Sequence, residues 1–208
     1  MGIKKNFLFL CVIVLTPELL AKECRYTATV WNAKLKKVVD QITVVKDFSA
    51  LSRHEKGPFG CTPCESDQID LNLPFHPPVK ICRHIASKIE RVLIQAHEEG
   101  YPIKKIIAYR PGLSKGPLDQ HGNRTELSNH SFGTAIDINP ENNGLYGNCK
   151  VWNSTCILLK DGKRVLEHPL TLKKNSPLVL MMREIGMKWG GEIKGNQKDF
   201  MHFSHSGY

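Results

Sequence analysis

The chain has 208 residues, enough for one domain with a small extension and enough to bury a core without disulfides. Hydrophobic residues make up 41% and charged residues 24%, which excludes a largely disordered chain. The net charge of +9 favours an anionic partner, but the lysines are scattered and no basic stretch interleaves with aromatics, so no nucleic-acid partner is expected.

At the N-terminus, Lys4 and Lys5 precede the apolar run Phe7–Leu15, and Leu19-Leu20-Ala21 offers a cleavage site. The run is too short for a bilayer core that needs about 20 residues. Residues 1–21 therefore read as a secretory signal peptide, with an uncleaved anchor as the alternative. Cleavage takes Lys4, Lys5 and Glu18 away from 29 basic and 20 acidic side chains, leaving a net charge of +8. No later segment is apolar enough to insert stably in a membrane. The expected destination is the periplasm, or the extracellular space and cell wall.

Cleavage also removes Cys11, which leaves Cys24, Cys61, Cys64, Cys82, Cys149 and Cys156. An even set in an exported chain reads as disulfides. Cys149 and Cys156 form the expected pair because they close a short loop. Cys61-Thr62-Pro63-Cys64 is alternatively a redox motif or half of a zinc knuckle.

Residues 22–65 hold two strand-like runs, Tyr26–Trp31 and Ile42–Val45, and read as an accessory segment. The main domain is expected over residues 66–208. Within it, Ile81, Ile85, Ile89, Val92, Leu93 and Ala96 recur at three- and four-residue steps, which predicts a helix stopped by Gly100. A strand over 103–110 follows, then a loop over 111–127 and a strand over 134–139. Asp161-Gly162 signals a hairpin, and Ser176-Pro177 a capped helix to Gly186. The last 21 residues read as a loop and a terminal strand. This mixture predicts an α+β fold, with a mostly antiparallel sheet and flanking helices.

The strand over 134–139 carries Asp137 between Ile136 and Ile138. Alternation sends the isoleucines to the core and the carboxylate to the other face, where a cleft would spare it the cost of burial unpaired. His130 lies just upstream, and Gly133 lets the backbone turn the two side chains towards one point. A catalytic zinc usually has three protein ligands. Asp199-Phe200-Met201-His202 offers the third as His202, with Asp199 on the same side if the chain makes one turn there.

These residues resemble a known family. Ser128-x-His130-x-x-Gly133-x-Ala135-x-Asp137, followed downstream by Asp199-x-x-His202, is similar to the zinc D-Ala-D-Ala metallopeptidases, which share a fold with the hedgehog N-terminal domain. The likeness runs from about residue 79 to the end, including Tyr109-Arg110 and Trp189-Gly190-Gly191. It is strongest to compact peptidoglycan peptidases and phage endolysins. The resemblance implies that His130, Asp137 and His202 hold one Zn²⁺. It also implies that Asp199 is the general base for the attacking water and that Arg110 steadies the substrate carbonyl and its oxyanion. Ser128 and Trp189 would support the site.

In one respect the chain departs from the family. Many relatives follow the arginine with a Ser-x-x-x-Gln stretch, whereas here Pro111 and Gly112 open a longer segment. The implied activity is amide hydrolysis in peptidoglycan stem peptides by a monomer, as a D-alanyl-D-alanine carboxypeptidase or a stem endopeptidase. The alternative is a zinc-containing binding or signalling module of the same fold without turnover. The donor set also accepts other divalent ions.

Overall fold

Alternating side chains over residues 23–32 suit a strand with one covered face. In the computed structural model, which describes residues 22–208, that run is β1 (Glu23–Asn32), with Cys24, Tyr26, Ala28, Val30 and Asn32 buried. The signal peptide read in residues 1–21 lies outside the described residues. Strand β2 (Lys37–Asp47) pairs antiparallel with β1, from Glu23 opposite Asp47 to Asn32 opposite Lys37. Strands β3 (Gln68–Leu71) and β4 (Val79–Cys82) form a two-stranded ribbon that leads into helix α1 (Arg83–Glu98). The helix buries Ile85, Ile89, Val92, Leu93 and Ala96 on one face, as the periodicity predicts, and Gly100 follows it at φ +88°.

The rest of the chain is mainly short strands: β5 (Ile106–Ile107), β6 (Gly112–Leu118), β7 (Arg124–Leu127), β8 (Ala135–Ile138), β9 (Leu145–Gly147) and β10 (Ile157–Lys160). After helix α2 (Pro177–Glu184) come β11 (Lys188–Trp189), β12 (Lys198–Asp199) and β13 (His202–Ser204). They assemble into sheets ordered β2-β1-β6-β7, β10-β9-β12 and β11-β13-β8-β5. Among the described residues every strand pairing is antiparallel except β1 with β6, and with two α-helices there the fold is α+β. The main core packs α1 and the Leu178, Val179 and Met182 face of α2 against Ile136, Ile138 and Phe203.

Four local expectations are revised. Residues 111–127 are a β-hairpin, β6 and β7, not a loop. Their Gly- and Pro-rich sequence hides this, because pairing with β1 fixes the hairpin: Thr29 N donates to Pro111 O at 3.1 Å. The strand expected over 103–110 shrinks to Ile106–Ile107. Asp161-Gly162 does not join β10 to residues 165–166; β10 pairs back with β9, and Gly162 N donates to Pro140 O at 3.0 Å. Ser176 precedes α2 but does not cap it with its side chain, whose Oγ accepts from Lys173 N at 2.9 Å.

Three disulfides join Cys24 to Cys64, Cys61 to Cys82 and Cys149 to Cys156. Cys61 and Cys64 therefore serve different bridges, which removes both the redox and the knuckle reading of that motif.

Beside the first bridge, Glu55 is buried yet fully engaged. Its carboxylate accepts from Tyr26 Oη at 2.7 Å, Ser52 N at 2.9 Å, Ser52 Oγ at 2.7 Å and Lys46 Nζ at 2.8 Å. Burial would raise this carboxyl, but the four donors outweigh it and hold it down at about 2. A depressed folded value stabilises the native state above the usual carboxylate range, and that contribution is lost as pH falls towards 2. Glu55→Gln is expected to cost roughly 1.5–3 kcal/mol in urea titrations at pH 7, the worth of hydrogen bonds to a charged group. The deficit should shrink near pH 2. An equal midpoint at pH 7 would show that the network adds nothing.

Candidate metal centre

Strand β8 lies between β13 and β5, and its register sets the site. His202 stands directly opposite Asp137 across the β13–β8 ladder, so both side chains leave the sheet on one face. Ile136 and Ile138, on the other face, are fully buried in the core. His130 arrives from the single 3-10 turn Asn129–Phe132, which ends at Gly133 in the left-handed conformation, φ +63°. A Cβ at Gly133 would sit 2.6 Å from Cys82 N, so the close approach of β4 also requires glycine.

Ser131 anchors this turn. Its Oγ accepts from Gly112 N at 2.9 Å and from Ser128 N at 3.1 Å, and donates to Gly112 O at 3.1 Å. Ser128 is buried and lines the cleft, with its Oγ 3.2 Å from that of Ser131. The sequence reading singled out Ser128 and missed Ser131. A Ser-x-x-Ser spacing around a short turn was the available signal.

His130, Asp137 and His202 are all buried, and one donor atom from each lies within 4.8 Å of the others. His130 Nε2 is 3.1 Å and His202 Nδ1 is 2.9 Å from the same Asp137 Oδ1. On its far side, His130 Nδ1 is 2.7 Å from Ala108 O. A carbonyl only accepts, so Nδ1 carries the proton. In a neutral ring the Nε2 lone pair then faces a carboxylate oxygen, an arrangement that calls for a cation between them. Burial lowers the His130 pKa despite the nearby Asp137, so a ring proton is a poor candidate for that cation. Two imidazoles and one carboxylate suit zinc, and the carbonyl behind His130 is the kind of outer partner that orients such a ligand. The donor set fits the ion.

Burial alone would raise the Asp137 carboxyl, but His130 and His202 outweigh it and hold it well below the usual range. Arg110 Nη2 reaches the other oxygen, Oδ2, at 3.1 Å, while its side chain stays 46% exposed to the cleft. Its backbone N–H donates to His130 O at 3.2 Å, which ties the arginine to the turn bearing the histidine.

Asp199 ends β12, a turn at Phe200–Met201 follows, and His202 begins β13. The two residues belong to different sheets, yet both line one cleft of about 400 Å³, within the usual range for ligand sites. Asp199 Oδ1 is buried with no hydrogen-bond partner among the described residues. Burial pushes its pKa up to about 6, against the lowering effect of His202.

The turn is held from beneath. Trp189 Nε1 donates to Phe200 O at 2.7 Å, and Trp189 is absent from the cleft lining. A Cβ at Gly190 would sit 2.2 Å from Asp199 O, so glycine is needed where the chain passes under the carboxylate. Arg164, buried and without a carboxylate partner among the described residues, places its guanidinium 3.9 Å above the Phe200 ring. Nothing in the sequence around Arg164 signals this stacking. The Cys149–Cys156 loop adds Trp152, edge-on to Phe200 at 5.3 Å.

Comparison with known proteins locates the same segment. Residues 121–205 match the family model described as D-alanyl-D-alanine carboxypeptidase; Arg110 lies upstream of the matched stretch. No curated protein and no solved structure matches the chain. The matched stretch contains both histidines, Asp137 and Asp199, and over it the chain is similar to the D-alanyl-D-alanine carboxypeptidase family.

Proposed function

We propose that the chain is an exported zinc peptidase that hydrolyses amide bonds in peptidoglycan stem peptides. The observation that carries this reading is the convergence of a buried His-Asp-His cluster and a carboxyl of raised pKa on one cleft. Residues 66–208 would form the catalytic domain, of the hedgehog/D-Ala-D-Ala peptidase type, with 22–65 as an accessory segment. Three disulfides suit an oxidising compartment, in keeping with export. No helix among the described residues is long and apolar enough to cross a membrane.

His130, Asp137 and His202 would hold the zinc. When bound, zinc supplies a Lewis acid for the substrate carbonyl and lowers the pKa of a water towards about 7. The other roles fall to side chains of the cleft. Asp199 is ionised at neutral pH and takes a proton from the water that attacks the carbonyl carbon. Negative charge builds on the carbonyl oxygen, where the exposed face of Arg110 donates to it. Asp199 then passes its proton to the leaving nitrogen as the C–N bond breaks. Water has added across the amide, giving a carboxylate and an amine.

Incubating the zinc-loaded protein with defined muropeptides and weighing the products tests this reading. Loss of the terminal D-alanine would mark a carboxypeptidase, and an internal cut an endopeptidase. Intact muropeptides would contradict the proposal.

A further inference from the structure

Much of the cleft wall beside the metal cluster lies upstream of the segment that matches the family model. After Arg110, Pro111-Gly112 leads the chain into the β6–β7 hairpin. That hairpin contributes Ser114, Lys115 and Arg124 to the cleft, and β1 adds Trp31 beside them. The wall is therefore built by the β2-β1-β6-β7 sheet, and of these four residues Arg124 alone lies inside the matched segment.

Among the described residues, four arginine and lysine side chains line the cleft, Arg110, Lys115, Arg124 and Lys160, while Asp199 is the one acidic side chain in its lining. Two of these cations are already committed. Arg110 pairs with Asp137, and Lys160 lies 3.8 Å from Asp161. Lys115 and Arg124 have no carboxylate partner among the described residues. Arg124 Nη1 donates to Gly116 O at 2.6 Å, an internal bond that braces the guanidinium and leaves its other donors free. Lys115 is half-buried, with its ammonium 5.9 Å from the Tyr208 ring centroid. Glu126, its cross-strand neighbour on β7, forms no ion pair with it. Burial also lowers the Lys115 pKa, while Asp199 across the cleft works the other way. Two unneutralised cations held beside a carboxyl are a poor use of a cleft unless an anion completes it.

We infer that Lys115 and Arg124 form a carboxylate-binding subsite on the β6–β7 hairpin, which selects peptides bearing a free carboxylate near the bond to be cut. An arginine fork matches a carboxylate in two places and a lysine adds a point charge, so this pair suits a carboxylate far better than a carboxamide of the same shape. The inference rests on the peptidase reading. A stem peptide offers two such groups, the α-carboxylate of its γ-linked D-glutamate and its C-terminus, and both share the chemistry that the hairpin would recognise.

The test is a calorimetric titration of metal-stripped protein with L-Ala-γ-D-Glu-L-Lys-D-Ala-D-Ala and two analogues. One analogue carries a carboxamide on the glutamate and the other at the C-terminus. The double variant Lys115→Met/Arg124→Gln is expected to bind the free acid at least about tenfold more weakly than the wild type, a loss of ~1.4 kcal/mol. One analogue should bind both proteins alike, and its identity names the carboxylate that is read. The inference is overturned if the wild type binds none of the peptides, if the double variant binds the acid as tightly, or if all three peptides weaken equally. Should the double variant fail to fold, Lys115→Met alone is read in the same way. Failure of the zinc-loaded wild type to cut any of the peptides would count against the peptidase reading instead, since the titration needs no turnover.

Discussion

Asp199→Asn is expected to lower kcat about 10²–10⁴-fold, the usual worth of a general base, while zinc content and KM stay near those of the wild type. The prediction follows from the carboxylate's surroundings. Its Oδ1 has no hydrogen-bond partner to lose, so the amide should fit without unfolding the turn, and the deficit would be chemical. The pH dependence carries the sign. A base works only when ionised, and the Asp199 carboxyl is pushed up to about 6. Wild-type activity should therefore fall as pH drops through about 6, and that limb should vanish from the residual activity of the variant. An unchanged kcat would reduce Asp199 to a turn residue and place the general base elsewhere.

Arg110→Ala is expected to reduce kcat about 10²–10³-fold, as removal of a single oxyanion donor does. One guanidinium nitrogen already holds Asp137 Oδ2, which aims the rest of the group into the cleft. Arg110→Lys should recover little, because a lysine cannot hold the aspartate and face the substrate oxygen with the same fork. Steady-state kinetics separate the possibilities. A rise in KM at constant kcat would mean that the arginine binds substrate uniformly and has no special hold on the developing charge.

Much of this site was legible in the sequence because its parts are local. The apolar alternation around Asp137, the glycine after the His130 turn and the three-residue step from Asp199 to His202 each state a backbone requirement. The helix over Arg83–Glu98 was equally plain from its periodicity. What the sequence withheld was long-range. The β6–β7 hairpin depends on β1, whose Thr29 and Val30 lie some eighty positions upstream of their partners. Arg164 and the Ala108 carbonyl act through contacts with distant chain, and nothing in their own neighbourhoods marks them, while Ser131 shows only its spacing from Ser128. Two of the three disulfides were open for the same reason, since spacing favoured only the short Cys149–Cys156 loop.

The proposed chemistry depends most on His130, Asp137 and His202 holding one zinc ion. Metal analysis of protein purified without added metal, for the wild type and for His130→Ala, Asp137→Ala and His202→Ala in turn, measures this directly. One zinc per wild-type chain is expected, with affinity losses in each variant beyond the roughly 10–100-fold caused by removing an outer partner. A wild-type chain that takes up no zinc when it is supplied, or variants that retain it undiminished, would contradict the account.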